Sequence, residues 1–167
     1  AQCLPDMVDM SDTGWAFSVE ALLGPNREAI LVDQADFRLA SDILYNNRNQ
    51  YDTVRLIDSR KLQNISPRLA ENSIADVVKT SDSIIRKFID YSVGRYSMAE
   101  TEDDLGRFQN AVMRNGKTNS GVTRRVFRER ATILGKRAQK KAMEDSKYER
   151  EELVKDISDL EKRIQQV

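Results

Sequence analysis

The C-terminal stretch, residues 122–167, has the sequence VTRRVFRERATILGKRAQKKAMEDSKYEREELVKDISDLEKRIQQV. Apolar residues recur in its first half at intervals of three and four, which is the spacing of one helix face. The stretch therefore predicts one long charged helix, with basic side chains around a narrow packing stripe that includes three small alanines. Gly135 lies inside that stripe and predicts a bend, because glycine weakens a helix interior. The stripe consists of Phe127, Ala131, Leu134, Ala138 and Ala142.

The second half of this helix carries a short heptad seam of apolar residues. The seam covers about two heptads, fewer than a stable coiled coil usually has. In a parallel pair of identical helices Asp156 would face Glu161 of the other helix, whereas an antiparallel pair places Asp156 near Arg163. The charges therefore favour antiparallel packing, a different partner, or folding back onto the core of the same chain. The predicted helix-packing seam consists of Leu153, Ile157, Leu160, Ile164 and Val167.

Charge is distributed unevenly along a chain whose formal net charge is zero. Residues 107–141 hold eleven Lys or Arg against one acidic residue, a net charge of +10, whereas residues 1–106 carry −7 and residues 142–167 carry −3. A basic segment of this kind either binds a polyanion or lies against acidic protein surface, and the second hypothesis is favoured. The predicted contacts for a partner or polyanion are Arg124, Arg125, Arg128, Lys136, Arg137, Lys140 and Lys141.

Cysteine and histidine usage excludes several kinds of site. Cys3 is the only cysteine and histidine is absent, so one chain forms no internal disulfide and no zinc site of Cys and His ligands. Catalysis by a histidine base is excluded as well. No phosphate-binding loop, dinucleotide motif or calcium loop is present. The sequence therefore predicts no catalytic residues, no cofactor and no metal, and we expect a protein that is not an enzyme.

Helical periodicity dominates the rest of the chain. It predicts helices over residues 34–46, 66–94 and 101–115. The pair Ser66 and Pro67 begins the second, and Thr101 with Asp104 three residues later forms a capping-box-like start of the third. The predicted fold class is mainly α, an irregular helical bundle with a long charged C-terminal helix and room for one short strand pair in residues 28–60. The predicted domains are an acidic helical body (1–116), a polar hinge (117–121) and the long basic-then-heptad helix (122–167).

The expected function follows from this organisation. A long charged helix without a catalytic site favours a structural or adaptor subunit of a larger assembly, such as a virus or phage particle, whose partners are other protein subunits of the same or a different chain. The alternative is a nucleic-acid-binding protein that contacts phosphates through residues 107–141. No apolar run approaches the roughly 20 residues of a membrane span, and no signal pattern begins the chain. We therefore expect an intracellular, non-secreted protein, located in the cytoplasm or a particle interior.

Overall fold

The computed structural model describes residues 1–166, except for the side chains of residues 136–139, 141 and 142. Helices account for about 50% of the chain and strands for 16%. The α-helices are α1 (Leu4–Met7), α2 (Ala16–Leu23), α3 (Phe37–Asn46), α4 (Ser59–Gln63), α5 (Ser83–Val93), α6 (Glu102–Arg107) and α7 (Lys136–Gln165). The strands are β1 (Gln2–Cys3), β2 (Asp9–Met10), β3 (Ile30–Leu31), β4 (Leu56–Ile57), β5 (Val78–Lys79), β6 (Ser97–Ala99), β7 (Asn110–Met113), β8 (Lys117–Ser120) and β9 (Thr123–Val126).

The nine strands form three small sheets within the described residues. One has the order β1-β3-β4, the second is the pair β2-β5, and the third has the order β6-β7-β8-β9. The pairs β3-β4 and β6-β7 are parallel, and the other pairs are antiparallel. The sheets join residues far apart in sequence, since β2 near the N-terminus pairs with β5.

The predicted fold class is therefore wrong: the chain has an α/β fold and is not a mainly helical bundle. Only β3 and β4 lie within residues 28–60, where the sequence left room for one strand pair. The other strands have two to four residues each, which is too short for a period of two to become visible. Strands β1, β2, β5 and β6 are held by pairing with segments distant in sequence, whereas β7, β8 and β9 are consecutive strands joined by short turns.

The main core lies between α2 and α5 and is closed by the three sheets. Leu4, Val19, Ile74, Ile85 and Ile89 are fully buried there. A smaller cluster under α6 contains Ala99, Leu105 and Ala111. The sheet β6-β7-β8-β9 is thus covered on one face by the main core and on the other by α6, as expected for layered packing.

The predicted helix over residues 66–94 is three separate elements. Residues 74–77 form a 3-10 helix, β5 follows, and α5 begins only at Ser83. Two polar side chains start these elements: Ser73 accepts a hydrogen bond from the Ala75 amide, and Asp82 accepts from the amides of Ile84 and Ile85. Such N-caps end the preceding segment as well as starting the next. The apolar residues therefore had helical spacing without a continuous helix.

The predicted helix over residues 101–115 is a short helix followed by a strand. Thr101 caps α6 by accepting from the Asp104 amide, as its spacing predicted, but α6 ends at Arg107. Residues 110–113 continue as β7, whose Ala111 and Val112 are fully buried. Gly116 then turns the chain into β8 with a φ of +88°, a left-handed conformation that favours glycine.

The segment predicted as a hinge, residues 117–121, is β8 and the start of a tight turn. Gly121, with a φ of +59°, and Val122 connect β8 to β9. The long helix predicted from Val122 begins instead at Lys136, after β9 and an extended segment. Gly135 is the residue before the helix and has a φ of +88°, so it starts α7 rather than bending it. The division into an acidic body and a long C-terminal helix stays a prediction.

Candidate protein-protein interface

Strand β9 is an edge of the four-stranded sheet. Among the residues that the structure describes, β9 has a neighbouring strand on one side only, namely β8. The Phe127 amide donates to the Gly116 carbonyl at 3.1 Å, which fixes the alternation along this antiparallel pair. Thr123 and Arg125 therefore direct their backbone groups at β8, and Arg124 and Val126 direct theirs outward. This edge offers hydrogen-bonding groups to an added strand.

The surface around this edge combines apolar and basic side chains. Val126 is 64% exposed, and Val122 at the tip of the turn is completely exposed. The Arg125 guanidinium lies 4.4 Å from the centroid of the Phe127 ring, a cation-π contact that covers part of this aromatic residue. Val122 and Val126 leave apolar surface at this edge, while Arg124 and Arg125 place two charges on the same four-residue strand.

On the face of the sheet that carries Arg124 and Val126, charged side chains join β8 and β9 to α6. Arg124 donates to Asn119 at 3.1 Å and to Glu102 at 3.4 Å. Lys117 also forms an ion pair with Glu102, and its hydrogen bond lowers the pKa of that carboxyl below its ordinary value. Glu102 thus holds two residues of the hairpin on α6.

A second ion-pair cluster ties β7 to the N-terminal segment. Arg114 bonds Asp12 and Glu100, both at 3.1 Å, and its guanidinium lies 4.5 Å from the Trp15 ring centroid. The hydrogen bond from Arg114 lowers the pKa of Asp12, and the two acids raise the pKa of Arg114. A side chain on Gly14 would collide with this guanidinium at 2.2 Å, so glycine makes room for the cluster. Part of the basic segment therefore lies against the protein's own acidic residues, which agrees with the favoured hypothesis.

The structure places the predicted basic contacts on three different elements. Arg124 and Arg125 lie on β9, exposed Arg128 lies in the segment after it, and exposed Lys140 lies on α7. The side chains of Lys136, Arg137 and Lys141 lie outside the described residues. Because Arg124 is bonded to Glu102, it is less available to an external anion than Arg125 or Arg128. Arg124, Arg125 and Arg128 precede α7, so the basic residues do not all lie on one long helix as predicted.

The predicted seam lies on α7 and is exposed. Leu153, Ile157, Leu160 and Ile164 have exposed fractions between 48% and 73%, and Val167 lies outside the described residues. That these residues pack against another helix stays a prediction. The sequence did not indicate the edge of β9, whose Thr, Arg, Arg and Val residues were counted as part of a helix.

Neither a metal-binding cluster nor a membrane-spanning helix is found in the part of the chain that the structure describes. No described group of three or more Cys, Asp or Glu side chains is arranged to hold a metal ion. No described helix combines the length and the apolar character that crossing a membrane requires.

Comparison with known proteins identifies the fold through solved structures. No family model and no curated protein sequence matches the chain. The hinge domain of the Pyrococcus furiosus SMC protein matches with a TM-score of 0.58 and 16% identity over 81% of this chain and 79% of that one. An asymmetric dimer of the Geobacillus stearothermophilus SMC hinge domain matches with a TM-score of 0.60 and 16% identity, over 95% of this chain and 70% of that one.

A third solved structure with this fold includes a coiled coil as well as the hinge domain. The Pyrococcus furiosus Smc hinge domain with an extended coiled coil has a TM-score of 0.57 and 14% identity, over 90% of this chain and 56% of that one. Likeness at these identities establishes the fold alone. None of the three is a virus or phage protein, so the particle setting expected from the sequence gains no support. The chain has the fold of an SMC hinge domain.

Proposed function

We propose that this chain is a non-enzymatic association module of a larger protein assembly, which pairs with a second hinge-like chain through the edge of β9. The observation that carries the proposal is the one-sided pairing of β9, whose Arg124 and Val126 backbone groups face outward. Support comes from the fold, because one structure with this fold is a dimer of hinge domains. Strand addition supplies affinity through main-chain hydrogen bonds, so it needs little sequence likeness.

The seam on α7 extends this proposal to a second contact. Its four described apolar residues are exposed on one helix, and burying them needs another helix. A related fold carries an extended coiled coil, which supports a helical partner for α7. The chain thus presents a strand edge for association of the α/β region and a helix face for association of the C-terminal helix.

The strand edge is tested with Val126→Pro. Proline removes the outward N–H of residue 126 but leaves the bonds between β9 and β8 intact, and proline is tolerated on such edges. The control is Val126→Thr, which keeps the N–H and the β-branch. We expect light scattering at micromolar concentration to give twice the 19.1 kDa of one chain for wild type and Val126→Thr, and one chain for Val126→Pro.

Two results would contradict the proposal. If the wild-type chain stays at 19.1 kDa throughout the micromolar range, it does not self-associate, and the proposed pairing of two such chains is wrong. Because the α7 seam is a second contact, the β9 edge is also tested in a chain that carries Leu153→Lys and Leu160→Lys, whose charges oppose helix pairing. If that chain dimerises and adding Val126→Pro leaves its circular dichroism and its dimer mass unchanged, the β9 edge is excluded.

Nucleic-acid binding is the second candidate, and the exposed position of Arg125 and Arg128 favours it. Contacts to phosphates release counterions, so binding should weaken with salt, and each lost contact should reduce the logarithmic slope by about one. We would compare Arg125→Gln and Arg128→Gln with Arg68→Gln, an exposed control outside the basic segment. Absence of binding to duplex and single-stranded DNA at low salt would exclude this candidate.

A further inference from the structure

Glu20 on α2 is a buried carboxylate bonded to the segment from which α7 starts. Its side chain is 3% exposed. Both carboxylate oxygens accept from the Ile133 amide, at 2.9 and 3.0 Å, and one accepts from the Leu134 amide at 3.5 Å. Glutamate is almost never buried unless its charge is satisfied. These contacts cross from the first helix of the main core to the residues just before the C-terminal helix.

Two further contacts hold the same short segment, residues 133–135, which we call the root of α7. Leu134 is buried in the main core with 2% of its surface exposed. Gly135 lies so close to β2 that a Cβ atom there would be 2.9 Å from a carboxylate oxygen of Asp9. The root is therefore held by hydrogen bonds to the Glu20 carboxylate, by the burial of Leu134 and by the close approach of Gly135 to β2.

Glu20 is the polar part of this attachment, and burying its carboxylate away from water is unfavourable. Burial raises the pKa of Glu20 above its ordinary value, while the Ile133 and Leu134 amides and the Arg27 guanidinium at 3.4 Å act in the opposite direction. A buried polar group that is expensive to desolvate needs its hydrogen bonds. The carboxylate accepts hydrogen bonds from amides just before α7. The helix itself supplies no such acceptor, because its N-cap is Gly135 and its first turn has no acidic residue.

We propose that Glu20 is a positioning residue that latches the root of α7 to α2, so that the α/β region sets where the C-terminal helix leaves it. Without the latch, only buried Leu134 and the close approach of Gly135 hold the root, and the segment between β9 and α7 then permits a wider range of orientations. The latch lies within one chain, and its existence does not depend on whether the chain dimerises through β9.

The test compares Glu20→Met with Glu20→Gln. Both replacements are close to glutamate in size, but only glutamine keeps an oxygen that accepts the Ile133 amide. In Glu20→Met we expect hydrogen exchange of the Ile133 and Leu134 amides to accelerate by about tenfold or more, and Glu20→Gln to remain near wild type. The matched control is Ser18→Ala on the same helix, which removes the buried 2.7 Å bond to the Met113 carbonyl but does not touch the root.

Distances between spin labels on Cys3 and on Ser146→Cys report the exit of α7 directly. Cys3 is the only cysteine and is exposed, and Ser146 is exposed on α7. Dilution with unlabelled chain restricts the measurement to one molecule. We expect a narrow distribution for wild type, Glu20→Gln and Ser18→Ala, and a broad one for Glu20→Met. Slow exchange at Ile133 together with a narrow distribution in Glu20→Met would overturn the latch; Glu20→Ala replaces Glu20→Met if the longer side chain prevents folding.

Discussion

The α/β region, residues 1–135, and the C-terminal helix α7 use apolar residues in opposite ways. Helix α5 buries Ile85 and Ile89 completely in the main core. Helix α7 has a comparable series at helical spacing, yet Leu160 is 56% exposed. Both series are amphipathic in sequence, so the pattern alone does not separate them. The difference teaches that the α/β region completes its core from its own chain, whereas the apolar series of α7 is left exposed.

The largest expected effect tests this difference in burial. Ile89→Ala leaves a cavity in the main core and should lower the free energy of unfolding by about 2–5 kcal/mol. Leu160→Ala removes a similar volume from an exposed face and should change that free energy by no more than about 0.5 kcal/mol. Trp15, the only tryptophan, is buried in the main core, so its fluorescence in urea follows the α/β region specifically.

Equal losses for the two variants would break the comparison. They would mean that Leu160 is packed in solution and that α7 stabilises the α/β region, as folding back onto the core predicts. If Leu160→Ala instead leaves Trp15 unaffected but lowers the mass measured by light scattering, the seam serves association between chains.

An intermediate effect is expected at Gly116, which turns the chain into the hairpin that carries β9. A Cβ atom there would lie 2.8 Å from the Phe17 ring, and the φ of +88° is strained for any other residue. Gly116→Ala should therefore cost about 1–3 kcal/mol of unfolding free energy. Gly106→Ala is the control, since the space beside this α6 glycine is open and alanine favours a helix there. A neutral Gly116→Ala would show that the hairpin is less tightly fixed than the core.

Local signals in the sequence located several elements correctly. The predicted helix over residues 34–46 is present as α3, Phe37–Asn46, and Thr101 is the N-cap that its spacing predicted. The exposed seam on α7 follows from its apolar spacing. In each case the pattern depends on residues within one or two helical turns, which are the interactions that sequence spacing describes.

The rest depends on contacts between distant residues. Helical spacing runs through Ile74, Val77, Ile85 and Phe88, yet these residues do not share one helix. Ser73 and Asp82 cap two separate elements, and β5 between those elements pairs with β2. The edge of β9 was missed for a different reason: β8 and β9 are joined by only two residues, but a strand of four residues is too short to show an alternating pattern, and its residues were counted as part of a helix. Glu20 was missed because, in sequence, it is one acid on a short helix, and nothing local predicts that it meets Ile133.

The smallest expected effect is a pH slope at the junction between the two regions. Burial raises the folded-state pKa of Glu20 above the ordinary value of 4.5, so the folded chain binds this proton more tightly than the unfolded chain. The resulting stabilisation is fully present below that ordinary value and is lost as pH rises through the folded pKa. Glu20→Gln cannot titrate, so wild type should lose stability relative to this variant as pH rises from 4 toward neutrality. Urea unfolding followed by Trp15 measures the difference, with Glu28→Gln as the control for removing one carboxylate. Parallel profiles for wild type and Glu20→Gln would mean that the Ile133 and Leu134 amides and the Arg27 guanidinium offset in full the effect of burial on this carboxyl.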